Sequence, residues 1–450
     1  MAFETNLKWF TVIPIRNILR SVLPRSRNSG DVALNRMTER FIQGESMVDE
    51  RKIGRTARTA FVLTGWLVLT LAAIQPDVHA ASKSPATARS YFVYVGTDTS
   101  TGSKGVYSYR FDPKTGQLTP IGVAAEVATP FFLATDPQYR FLYATTERGE
   151  GHGPNMFKVN GHVSSYSIDR KTGALTFLNR VETAGGGPAH LATDNTGKML
   201  FVANYGSGSI VSFAIKPDGS IGERTGFDQH TGSGPDHARQ EGPHAHEAVL
   251  SPDNRFLLVP DLGSDQIKIY RVDAAKGTFT PNDPAFATVK AGLGPRHLLF
   301  GKGGKFVYVV CEMGSSVVVF SYDPVKGSLT EQQTIANLPP DFTGIDNSAE
   351  LGLSRSGKFL YASNREAGSI TVFAIDPVKG TLTRVQIAPT LGKIPRNFAI
   401  DPTGKYVVVG NQMSNQMVVF AIDQANGELK PTGQTVDIST PVCILFVPAL

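Results

Sequence analysis

Tryptophan, cysteine and surplus charge are all scarce in the greater part of this 450-residue chain. Its only tryptophans, Trp9 and Trp66, lie within the first 80 residues, which excludes a repeat built on a Trp-Asp signature. Two cysteines, Cys311 and Cys443, are too few for a disulfide scaffold. Both sit in apolar contexts (VVCEM and PVCILFV) and read as two buried thiols, with a disulfide as the alternative in an oxidising compartment. The net charge of +5 belongs to the N-terminal part. Residues 1–80 hold 11 Lys/Arg and 7 Asp/Glu, leaving 33 and 32 for residues 81–450. That balance excludes an electrostatic footprint for nucleic acid. There is no Gly-x-Ser-x-Gly elbow, which argues against a serine-nucleophile hydrolase. The run Gly185–Gly187 is followed by a strand pattern and no helix, so it is not a phosphate loop.

Long apolar runs are equally few. The one at 59–74 (TAFVLTGWLVLTLAAI) follows a basic stretch, RKIGRTAR, and precedes QPDVHA. This is the order of a signal peptide, with Val78 and Ala80 at the positions that direct cleavage before Ala81. Sixteen apolar residues are short for a stable membrane span, so the mature chain is expected to have none. A leader over 47–80 has ordinary dimensions, which makes Met47 the expected start and residues 1–46 an extension that is not native. The protein is therefore expected to be exported, periplasmic or secreted, with residues 81–90 as a linker.

What is abundant is repetition. The runs YFVYVGTD (91–98), FLYATTE (141–147), MLFVANYG (199–206), FLLVPDL (256–262), FVYVVCE (306–312), FLYASNR (359–365) and YVVVGNQ (406–412) begin 47 to 58 residues apart. Each is followed by a second apolar run, such as GVYSYRFD or SITVFAID, then by a turn and a short strand such as GQLTPI or GTLTRV. A further strand precedes each later copy, as in GPAHLATDN or GPRHLLFGK. Aromatic and β-branched strands punctuated by 45 Gly and 28 Pro make the chain all-β. Seven repeats of four antiparallel strands predict a seven-bladed β-propeller over residues 91–450. The first copy lacks a preceding strand, and residues 440–448 (TPVCILFVP) are left over at the C-terminus. The last strand should therefore become the innermost strand of the first blade and close the ring.

Because successive strands alternate direction, the short Asp/Pro/Gly turns fall on one face and the long connections on the other. The insertions at 148–160, 224–243 and 334–346 gather on that second face, where a site is expected. Aligning the innermost strands brings Phe131, Ala189, His246, Arg296, Ala349, Arg396 and Val442 into one column. The next column holds Phe132, His190, Glu247, His297, Glu350, Asn397 and Cys443. The ends of the second strands align Asp98, Glu147, Tyr205, Leu262, Glu312, Arg365 and Gln412. Charged groups at positions that packing would keep apolar cost free energy unless paired or functional.

The stretches YVGTDTSTGSKGVYSYRFDPKTGQLTP, ANYGSGSI, GPHAHEAVLSPDNRFLLVPDLGSDQI, GPRHLLF, FLYASNREAGSITVF and IPRNFAIDPTGKYVVVGNQ resemble the seven-bladed propeller lactonases. That family includes propeller-type 6-phosphogluconolactonase and carboxymuconate cyclase. The resemblance spans about residues 91–450. It implies a catalytic set of His246, Arg296, Glu312 and Arg365, with His244, Glu350, Asn364 and Arg396 as further positions for binding substrate.

Lactone opening asks for an activated water, charge stabilisation on the carbonyl oxygen and a proton for the leaving alkoxide. His246 or Glu312 would move the proton, while Arg296 and Arg365 would hold an oxyanion, carboxylate or phosphate. The same groups suit the reverse type of reaction, addition of a carboxylate to a double bond. His244 and His246 share a strand face but lack a third ligand at a telling spacing, so the site is read as free of metal and cofactor. His152, His162, His230 and His237 sit in polar connections and read as solvated. Glu350 and Arg396 read either as site groups or as an ion pair between blades. Asn204, Asn364 and Asn411 taken singly read as strand-end caps. The expected function is a 6-phosphogluconolactonase-type lactone hydrolase acting on a small-molecule lactone. The alternatives are a carboxymuconate-type cycloisomerase and a non-catalytic binding propeller.

Overall fold

The structure, a computed structural model, describes residues 90–146, 160–345 and 347–450. The expected leader, most of the linker, the insertion at 148–159, Glu147 and His152 lie outside the described residues. Among those described are 28 strands, β1 to β28, in seven four-stranded antiparallel sheets. Blades 2 to 7 each use four consecutive strands, while blade 1 has the order β28-β1-β2-β3. Here β28 (Pro441–Pro448) pairs antiparallel with β1 (Tyr91–Thr97), the closure expected from the unmatched strand. Ala449 N–H then donates to the carbonyl of Ser90 at 3.1 Å, bringing the C-terminus to the start of the ring.

The second strand of each blade is buried on both faces, which is why it reads as an unbroken apolar run. In β1, Tyr91, Val93 and Val95 pack with Val408, Met417 and Val419 of blade 7. Phe92 and Tyr94 point the other way, onto Leu142 and Ala144 of blade 2. The period of two along one strand thus joins three blades. Outermost strands such as β3 (Gln117–Glu126) are mostly exposed.

Adjacent blades are latched at the short-turn face. The Tyr94 hydroxyl donates to the carbonyl of Gly173 at 3.0 Å, and Tyr143, Tyr308 and Tyr361 repeat the bond to Gly219, Gly380 and Gly427. Gly173 has φ +82°, and a Cβ there would lie 2.6 Å from the Phe92 ring. Gly116 stands in the same relation to Tyr406 and carries the latch across the closing seam. Cys311 and Cys443 are separate buried thiols, and burial pushes the Cys443 thiol up to about 12.

The innermost strands of blades 1, 3, 5, 6 and 7 are bulged near the mouth end. In β16 (Pro295–Phe300), Pro295 faces Cys311 and His297 faces Val310, leaving Arg296 as the extra residue. The same shift leaves Ala189 extra in β8 (Pro188–Thr193), Arg396 in β24 (Pro395–Ile400) and Val442 in β28. Bulges re-aim side chains that a regular ladder would fix. In these blades the first aligned column is therefore the bulged column. Two innermost strands are shorter than expected: β4 (Leu133–Thr135) and β12 (Val249–Leu250). The expected insertion at 224–243 starts later, because β11 runs Ile221–Gln229 and pairs with its neighbour throughout. That at 334–346 likewise begins after β19 (Ser328–Ala336).

Candidate active site

The bulged column and its neighbour converge across the ring. His297 of blade 5 has its ring 5.1 Å from His246 of blade 4, 5.6 Å from His190 of blade 3 and 6.0 Å from Phe132 of blade 2. Arg396 of blade 7 lies over Phe131 of blade 2, 5.4 Å from its centroid. Contacts between blades so far apart in sequence exist only around a closed axis.

Glu312, just beyond the end of β17 (Phe306–Cys311), is the electrostatic centre. Its Oε2 accepts from Nε of Arg296 at 3.0 Å. Its Oε1 accepts from Nη2 of Arg365 at 3.1 Å and also pairs with Arg239. Burial alone would raise its pKa, but Arg365, Arg296 and Arg239 outweigh burial and hold it at about 2. A carboxylate so anchored is ionised at any working pH and a poor carrier of protons. Of the two groups expected to move the proton, Glu312 is thus the less suited. Arg296 is itself 3 % exposed, and its Nη1 donates to the carbonyl of Ala349 at 2.7 Å and meets Nε2 of His297 at 3.2 Å.

His246 is 5 % exposed, and its Nδ1 has no hydrogen-bond partner. Its ring meets Tyr205 edge-on at 5.4 Å, and Tyr205 stacks on His244 at 4.5 Å. Burial, then Arg296, His297, Arg396 and His190, hold its pKa well below the usual 6.5. The result is a neutral imidazole with an unpartnered ring nitrogen, flanked by guanidinium groups. That combination can take a proton from water while cations stabilise a developing oxyanion.

A sequence profile described as "Lactonase, 7-bladed beta-propeller" matches residues 92–446. The chain belongs to the seven-bladed β-propeller lactonase family. It is 34% identical to the 6-phosphogluconolactonase of Bacillus subtilis over 358 residues, 79% of this chain and 98% of that one. It is 32% identical to the 6-phosphogluconolactonase of Formosa agariphila over 317 residues, 69% of this chain and 86% of that one. The structure of a periplasmic gluconolactonase from Pseudomonas aeruginosa superposes with a TM-score of 0.76 at 35% identity, covering 80% of this chain and all of that one.

In this propeller lactonase the four expected catalytic residues do meet at one mouth, and two of the four expected binding residues sit beside them. His244 donates through Nδ1 to the Tyr205 carbonyl at 2.9 Å, and Arg396 lies over Phe131. Glu350 and Asn364 are placed differently. The Glu350 carboxylate is taken up by Nδ1 of His297 at 3.0 Å, by the Leu351 N–H at 2.9 Å and by Asn397. Asn397 in turn accepts from Ile444 N–H at 2.8 Å, so the second column forms a hydrogen-bonded belt joining blades 5, 6, 7 and 1. His190 and Glu247 continue it through blades 3 and 4, with Glu247 accepting from Leu298 N–H at 2.5 Å. Burial and the Glu350 charge raise the pKa of Glu247 well above 4.5. Asn364 is fully buried and hydrogen-bonds Ser348, Ser369 and Thr371, a strand-end cap within its own blade.

Arg239 was outside every aligned column, because the insertion that carries it has no counterpart in the other repeats. Its only sequence signal was an arginine in a long connection on the mouth face. Gln240, fully buried, fixes that insertion by donating to the carbonyl of Leu262 at 2.8 Å. His230 is a correction. Expected as solvated, it is 3 % exposed and paired with Asp261 at 2.6 Å. His237 is exposed, as expected.

Proposed function

We propose that this chain is an exported lactone hydrolase that opens a sugar-derived cyclic ester at the propeller mouth. The carrying observation is the buried, neutral His246, with an unpartnered Nδ1 and with Arg296 and Arg396 acting on it, Arg296 being one of the arginines that share the Glu312 carboxylate. In this reading His246 takes a proton from the attacking water and returns it to the alkoxide as the C–O bond breaks. Arg296 and Arg365 hold the oxyanion or an anionic group of the substrate, and Glu312 keeps both guanidinium groups in place. The names of the relatives, 6-phosphogluconolactonase and periplasmic gluconolactonase, support the same class of ester. Among the described residues no helix is long and apolar enough to cross a membrane. With the signal-like order of residues 47–80, export favours an unphosphorylated sugar lactone, because sugar phosphates are made inside the cell.

Acid release from glucono-δ-lactone and from its 6-phosphate, each followed against spontaneous opening, tests the reading. The expected outcome is acceleration of both with preference for the unphosphorylated ester. Spontaneous rates on every lactone tried would refute it. N-terminal sequencing of the protein recovered outside the cytoplasm should begin at Ala81.

A further inference from the structure

A largely buried relay, which the proposed chemistry does not use, joins blade 3 to blade 4. Asp228 on β11 accepts from the Tyr270 hydroxyl at 2.7 Å. The Tyr270 oxygen lies 2.9 Å from Nε2 of His230, and Nδ1 of His230 lies 2.6 Å from Oδ2 of Asp261. The other oxygen of Asp261 accepts from the backbone N–H groups of His244 at 2.9 Å and Ser264 at 3.0 Å. Burial would raise the pKa of Asp261, but His230 and these two N–H groups hold it below the usual value. It is therefore a carboxylate, and Nδ1 of His230 carries the hydrogen between them.

Asp261 ends β13 (Phe256–Asp261), where the corresponding residues of three other blades are Asn204, Asn364 and Asn411. Those amides are neutral, and Asn204 and Asn411 donate to the backbone carbonyls of Thr183 and Thr390. The exchange of amide for carboxylate occurs in the blade that carries His246. It is also the blade whose innermost strand is least regular, since β12 has two residues and Ala245 meets Asp261 only through an isolated bridge. Besides the Asp261 carboxylate, the segment is tied to β13 by Leu262 N–H to His244 and His246 N–H to Pro260, both at 2.9 Å.

We infer that His230 and Asp261 are positioning residues for His246: a His–carboxylate pair replaces the missing ladder and sets where the imidazole stands. A buried carboxylate that accepts two backbone N–H groups needs a further partner, and His230 supplies it from the insertion. The pair acts through the backbone at 244–246 and touches no reacting atom. This rests on the lactonase reading for its kinetic test, and a spectroscopic arm is independent of it.

The full-length protein and its Asp261→Asn, His230→Gln and His237→Gln variants would be compared on glucono-δ-lactone. Misplacement of a catalytic group by a fraction of an ångström to 1 Å costs up to about 10²-fold. Asp261→Asn and His230→Gln should lower kcat by roughly 10- to 100-fold with KM changed less than about twofold. His237→Gln, in the same insertion but exposed, should change neither. In parallel, proton NMR of histidine-labelled protein should show a low-field Nδ1–H resonance, lost in both relay variants, and a His246 ring resonance that moves in them. Unchanged kcat in Asp261→Asn, or loss of activity only together with loss of folded near-UV signal, would overturn the inference. Should no lactone be turned over, the lactonase reading falls alone. The inference then stands or falls on whether the His246 resonance moves.

Discussion

A carboxylate shared by three guanidinium groups explains more of this site than any single catalytic assignment. Glu312 is held at about 2 by Arg365, Arg296 and Arg239 against the cost of burial. Replacing it by Gln leaves the buried Arg296 guanidinium uncompensated. Breaking such a pair typically costs about 3–5 kcal/mol. We expect Glu312→Gln to lower stability by that order, read from urea unfolding, and to abolish activity through displaced arginines. Charge also sets the response to pH. His246, His190 and His297 are each held below 6.5, burial being the largest cause. Below about 6.5 the unfolded chain takes up protons at these rings while the folded chain does not, so stability falls as pH drops. Glu312 adds to the loss as pH falls from 4.5 toward 2. Glu247, held above 4.5, acts in the opposite sense but is outnumbered by the three rings, so thermal midpoints measured from pH 6.5 down to 4 should decline. A flat profile between 6.5 and 5 would contradict neutral buried imidazoles.

At the scale of strands and turns, the latch glycines do what no other residue can. Gly173 combines φ +82° with the Phe92 ring in the space a Cβ would fill. A left-handed conformation alone costs a non-glycine residue about 1–3 kcal/mol. Gly173→Ala should therefore destabilise by at least that order in denaturant unfolding, whereas Gly102→Ala, also at positive φ but with nothing nearby, should cost less. The strands and turns were legible in the sequence because they recur seven times, whereas the tyrosine latch, present four times, was not read from it. The bulge was legible only by its consequence. Arg296 and Arg396 broke an apolar pattern, and the structure shows that the same column is the extra residue of each pair. Arg239 and the burial of His230 were not legible, since both lie in an insertion that no other repeat duplicates. The second column was visible as a list of polar residues. Its role as a belt was not, because hydrogen bonds between blades depend on ring closure rather than on spacing along one strand.

For the whole molecule, the ring is one cooperative object because its last strand completes its first blade. Removing residues 441–450 would expose the edge of β1 and open the axis where Asn397 accepts from Ile444. Such a truncation should lose soluble, cooperatively unfolding protein, whereas deleting residues 1–46 should leave the melting transition unchanged. Closure also makes the mouth, since His297 meets Phe132 and Arg396 meets Phe131 only when blades 5 and 7 come round to blade 2. The central claim is that this mouth hydrolyses a lactone with His246 as its base. The most direct measurement is the rate of acid release from glucono-δ-lactone by the wild-type protein and by His246→Ala. The expected result is a wild-type rate well above spontaneous opening and a loss of roughly 10²- to 10⁴-fold in kcat in the variant, with the fold intact. A His246→Ala variant as active as the wild type would contradict it.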